Sequence, residues 1–121
     1  MSNPVSKTNP RLVNLVGELK AQSRETGAPL WRDVAMRLSK SRSNWAQPNL
    51  SRLSRHCPEG ATVLVPGKLL GSGDISGKPV VAAYSFSTGA RDKIEAAGGK
   101  VLSLGELMEQ NPSGTGVFIL G

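Results

Sequence analysis

The period of the apolar residues changes at Glu59-Gly60. Ahead of that point Leu12, Leu15, Val16 and Leu19 recur at i, i+3, i+4 and i+7, and Trp31, Val34, Ala35 and Leu38 repeat the spacing. That period puts an apolar stripe along each of two helices. Beyond Gly60, short apolar runs alternate with helical stretches. A chain of this order folds as α/β, a compact core of short strands and helices with a helical N-terminal part. With 121 residues it makes one domain, helical over 1–57 and α/β over 58–121.

Local signals place the boundaries. Asn9 caps a helix with Pro10 at its first position, and Gly27 with Pro29 closes it and opens the next. Pro48 starts a short third helix through Cys57, with Leu50, Leu53 and Cys57 facing inward. Ala61–Val65 is a β-branched run, and Val65-Pro66-Gly67-Lys68 fits a type II turn. A loop over 71–79 leads to a buried strand from Val80 to Tyr84. Ser87 caps a helix through Ala97 that stops at Gly98-Gly99, and Val101-Leu102 is a brief strand. Ser103 and Glu106 form a capping box for a helix to Gln110. Asn111–Gly114 is a turn, and Val117–Leu120 is the last strand.

Most motifs that could carry catalysis are incomplete. Gly71, Gly73 and Gly77 lack the G-x-G-x-x-G spacing, and Lys78 is followed by Pro79 rather than Ser or Thr. A tight loop is the better reading. His56 and Cys57 are the one His and the one Cys, so no zinc set can be completed and no internal disulfide forms. Cys57 fits the Leu50/Leu53 stripe better than a nucleophile's role. G-x-S-x-G is missing, and Glu106 and Glu109 are explained by capping and surface needs. The expectation is no enzyme, metal or cofactor. Nothing resembles a secretory signal or a membrane span, so a soluble cytoplasmic protein is expected.

Charge is the informative property. The net charge is +6, and residues 1–57 hold ten Lys or Arg against three acids, whereas 58–121 hold five against six. Val34–Pro58 contains Arg37, Lys40, Arg42, Arg52 and Arg55 and no acid. A basic face of this kind suits a polyanion. Arg52 and Arg55 lie about 60° apart on a helix. They are either a solvated face or a phosphate-facing pair, and the acid-free surroundings favour the second. Ser41, Ser43, Asn44, Asn49 and Ser51 add neutral donors suited to phosphate, ribose and base edges. Trp31 belongs to the core stripe. Trp45 either staples helices or stacks on a base, with packing favoured.

With these residues in hand, the chain resembles the archaeal form of the L-eighteen-e family of large-subunit ribosomal proteins, related to bacterial ribosomal protein L-fifteen. The matching stretches are Lys7–Leu12, Leu30–Ala35, Asn49–Leu53, Val65–Gly71, Val81–Ser87, Ala97–Gly99 and Asn111-Pro112. They occur in order along nearly the whole chain. Where the family pattern has Ala-Glu-Val before Asn-Leu, this chain has Ala46-Gln47-Pro48, which removes an acid from the basic segment. The last strand, Val117–Leu120, also lacks the arginine that the family tends to carry.

The resemblance implies an α/β structural constituent of the large subunit, cytoplasmic and ribosome-bound. Its partners would be the large-subunit ribosomal RNA and neighbouring large-subunit proteins. Candidate RNA-binding residues are Lys7, Arg11, Arg37, Lys40, Arg42, Asn44, Arg52, Arg55 and Lys68. The alternatives are a free-standing RNA-binding regulator and a small-molecule-binding α/β domain built on the Gly71–Gly77 loop.

Overall fold

The computed structural model describes residues 10–41, 45–57 and 61–120. Two helices, α1 (Pro10–Thr26) and α2 (Pro29–Leu38), come first, followed by the short α3 (Leu50–His56). Then come β1 (Thr62–Leu69), β2 (Val80–Phe86), α4 (Thr88–Ala96), β3 (Lys100–Leu102), α5 (Leu104–Gln110) and β4 (Val117–Ile119). Pro10 opens α1 as the sequence predicts, while its expected cap, Asn9, lies outside the described residues.

The four strands form one sheet of order β3-β2-β1-β4, and every pairing is parallel. The register aligns Leu64 with Ala82, and Ala82 with Leu102. These three point to one face, where they share a core with Leu19, Trp31, Val34, Leu38, Leu104 and Leu107 of α1, α2 and α5. One residue out of phase, Val63, Val65, Val81 and Ala83 point to the other face and pack with Leu50 and Leu53 of α3 and Ala90 and Ile94 of α4. The result is an α/β/α sandwich. Coverage of both faces explains the near-continuous apolar strands, since a parallel sheet leaves neither side for water. Burying an aliphatic side chain of this size contributes about 1.5–3 kcal/mol.

The type II turn expected at Val65–Lys68 is not formed. β1 runs straight through Pro66 and Gly67, and the pairing with β2 slips between Val65 and Lys68. Pro66 has no N–H to give the ladder, so it is accommodated where the register shifts. The chain at 46–50 then runs beside the second half of β1. Lys68 N–H donates to the Ala46 carbonyl (3.1 Å), Leu70 N–H to the Pro48 carbonyl (2.8 Å), and Leu50 N–H to the Leu70 carbonyl (3.2 Å). Gly67 is required by this approach: a Cβ there would stand 2.1 Å from the Ala46 oxygen. These bonds tie the start of α3 to the sheet.

The third helix also begins later than expected. Pro48 precedes it, and Asn49 caps it by accepting the Arg52 N–H (2.9 Å). Leu50 and Leu53 are buried, whereas Cys57 is half-buried at the helix end. The other caps are as predicted. Ser87 accepts the Ala90 N–H at the head of α4, Gly98 adopts a left-handed φ of 82° just past that helix, and Ser103 with Glu106 closes the capping box of α5.

Candidate nucleic-acid interface

The candidate cations among the described residues fall in two places. The first spans the end of α2 through α3. Arg37 lies in the last turn of α2 and pairs with Asp33 one turn earlier (Nε–Oδ1 3.1 Å). Both side chains are well exposed, so this pair contributes at most about 0.5 kcal/mol. Lys40 follows, its carbonyl accepting the Trp45 indole N–H at 2.9 Å. Trp45 is half-buried and sets its ring edge-on to Tyr84, with centroids 5.2 Å apart and planes at 76°. It therefore packs, as favoured from sequence. A surface cleft of about 460 Å³ collects Met36, Arg37, Lys40 and Trp45 on its walls.

Arg52 and Arg55 are exposed on α3, opposite the buried Leu50 and Leu53. The helix is held rigidly. Ser51 N–H donates to the Ser72 carbonyl (3.1 Å), and Ser54 Oγ donates to the Asp74 carbonyl (2.8 Å). That second bond brings an acidic residue, Asp74, alongside a segment that is acid-free in sequence.

The second place is the carboxyl edge of the sheet. Arg11, near the start of α1, lies over the Tyr84 ring at 5.4 Å from its centroid. Lys68 is exposed on β1 beside Ser85 of β2. Candidates Lys7, Arg42 and Asn44 lie outside the described residues.

Two cations of the second half have roles that their sequence neighbours hide. Arg91 lies over the Phe86 ring at 5.8 Å. Lys93 Nζ donates to the carbonyls of Gly71 (2.8 Å) and Gly73 (2.7 Å). From sequence, both have their charge partly cancelled by Asp92 and Glu95. The Lys93 partners lie 22 and 20 residues away in the chain, and Phe86 ends the strand that precedes the Arg91 helix.

The glycine-rich loop is thereby explained as a packed connector. Lys93 holds it from α4 and Ser51 from α3, and a Cβ on Gly71 would meet the α4 backbone at 2.7 Å. Burial pushes the Cys57 thiol pKa up, which keeps it protonated at neutral pH. Among the described residues no group of three or more His, Cys, Asp or Glu could hold a metal ion, and no helix is long and apolar enough to cross a membrane.

A parallel sheet covered on both faces, with arginines displayed on a tethered helix and at the sheet edge, defines a small basic α/β protein suited to a polyanion. Comparison with known proteins narrows the class. The family described as "Ribosomal protein 60S L18 and 50S L18e" matches residues 2–121. "Large ribosomal subunit protein eL18" of Methanothermobacter thermautotrophicus is 49% identical over 113 residues, covering 93% of either chain. The protein of the same name from Halobacterium salinarum is 50% identical over 116 residues, covering 96% of this chain and 99% of its own. The one from Methanoregula boonei is 45% identical over 120 residues, or 99% of each. The chain belongs to the L18/L18e family of ribosomal proteins.

Proposed function

We propose that the protein is a structural constituent of the large ribosomal subunit, bound in the cytoplasm to the large ribosomal RNA and to neighbouring ribosomal proteins, and that it supports translation without catalysing a reaction. The observation that carries this reading is the family match along residues 2–121. Chemistry supports it. Guanidiniums bind phosphate by charge and by paired hydrogen bonds, and Arg52 and Arg55 are exposed on a helix tethered to the sheet. Residues 1–121 act as one ribosomal-protein domain, with 1–57 as its basic helical part and 58–121 as its α/β core. The sharing of one core by α1, α2 and the sheet supports the single domain. The RNA-binding set is Lys7, Arg11, Arg37, Lys40, Arg42, Asn44, Arg52, Arg55 and Lys68. The packing of the Gly71–Gly77 loop weighs against a small-molecule site there.

Sucrose-gradient sedimentation of cell extract tests the reading. The protein should travel with large subunits at moderate salt. A purely free pool would instead mean a free-standing RNA-binding regulator.

A further inference from the structure

The parallel pairing points the carboxyl ends of β1, β2 and β3 in one direction. That end is furnished with cations held on aromatic rings. Tyr84 packs with the core cluster of α1, α2 and α5, and Phe86 packs with the cluster of α3 and α4. Arg11 over Tyr84 and Arg91 over Phe86 therefore approach the carboxyl end of β2 from the two faces of the sheet. Both line a cleft of about 310 Å³, together with Ser85, Val101, Leu102 and Ser103. Lys68, paired with Ser85, adds a third cation beside it. Glu106 is the acid on the cleft wall, and its carboxylate accepts the Ser103 N–H at 2.8 Å. Two arginines against one engaged carboxylate leave the cleft cationic.

We infer that this cleft is a subsite for a single unstacked nucleotide of the large ribosomal RNA, an inference that rests on the RNA-binding reading above. A guanidinium steadied on a ring keeps little freedom to lose on binding. It offers a planar surface on which a base stacks and N–H groups that reach a phosphate. Val101 and Leu102 give the base an apolar floor, and the Ser85 and Ser103 hydroxyls suit a ribose. A paired base inside a duplex cannot enter a pocket of this size, so the ligand comes from a loop, bulge or strand end. An acidic protein tail would use the charge but not the paired stacking surfaces.

The test uses the full-length protein and a short single-stranded RNA carrying one central 2-aminopurine, whose fluorescence is quenched on stacking. Single-stranded RNA should be quenched on binding, and the same RNA annealed to its complement should not. Arg11→Ala and Arg91→Ala should each weaken single-strand binding roughly 5- to 100-fold. Arg91→Lys should remain weak, because an ammonium keeps the charge but not the stacking plane. Lys100→Ala, which removes a cation at the amino end of β3, should change nothing. Circular dichroism confirms folding of each variant.

Equal quenching of the duplex overturns the subsite, as does full binding by Arg91→Ala or displacement of the RNA by an equal concentration of oligoglutamate. A wild-type protein that co-sediments with large subunits yet gives no quenching overturns the subsite and leaves the ribosomal reading standing. The converse pair of results does the opposite.

Discussion

Gly67→Ala should be among the most damaging small changes in this protein. A Cβ at residue 67 would stand 2.1 Å from the Ala46 oxygen and 3.1 Å from its carbonyl carbon, and neither is the end of a flexible side chain. Relief requires the 46–49 segment to move away from β1, which breaks the bond from Lys68 N–H to that same oxygen. Losing the hydrogen bond costs about 0.5–1.5 kcal/mol and overpacking a buried position about 1–3 kcal/mol, so a total near 2–4 kcal/mol is expected. For a chain of this size the midpoint Tm should drop by roughly 8–20 °C. Urea and thermal unfolding followed by circular dichroism measure both quantities. Gly17→Ala is the matched control: it lies in α1 with nothing within 4 Å of its built Cβ, and should stabilise by about 0.5–1 kcal/mol. Gly67→Asn separates the observed strand from a type II turn. A turn accepts Asn at this position, but Gly67 has no positive φ and has no room for a longer side chain. Asn tolerated better than Ala, or Ala within 0.5 kcal/mol of wild type, would refute the reasoning.

Ser103→Ala removes the side chain that accepts Glu106 N–H at 3.1 Å, and should cost about 1 kcal/mol in urea unfolding, with Thr restoring most of it. Lys93→Met frees the Gly71 and Gly73 carbonyls, and hydrogen exchange at the Ser51 amide, which is bonded to Ser72 in that loop, should accelerate while global stability falls by no more than about 1 kcal/mol. Cys57, its pKa raised by burial, should react with iodoacetamide more slowly than a free thiol at pH 8 and catch up in urea. The sign for stability follows from the same shift. The buried thiol favours the folded state fully below the ordinary thiol pKa, and that contribution is lost as pH rises through the folded value. Cys57→Ala should therefore flatten the alkaline end of the stability profile.

Features that depend on neighbours in sequence were legible in it. The Ser103–Glu106 box, the Ser87 cap and the Gly98 stop each use donors and acceptors within one turn, so spacing alone reveals them. The Trp31 stripe was legible for the same reason, although its indole bond to the Pro112 carbonyl (2.8 Å) was not. Val65–Lys68 shows the limit. Pro-Gly favours a turn locally, but burial on both faces and hydrogen bonds from 46–50 favour a strand, and the tertiary terms win. The candidate interface divides likewise. Charge asymmetry picks out Arg52 and Arg55, whereas Asp92 and Glu95 beside Arg91 mask its charge in the sequence and its contact with Phe86 appears only in the fold. The alternating aromatics Tyr84 and Phe86 at a strand end were the available hint.

The most direct test of the account is the salt dependence of affinity for large ribosomal RNA, measured by filter binding. Neutralising about five phosphates predicts a slope of log affinity against log salt of roughly −3.5 to −4.5. Changing Arg42, Arg52 and Arg55 together to Ala should weaken binding and make that slope shallower by about 2–3 units, with the fold intact by circular dichroism. A flat slope for the wild type, or an unchanged slope for the triple variant, would contradict an RNA face built on the basic helical part.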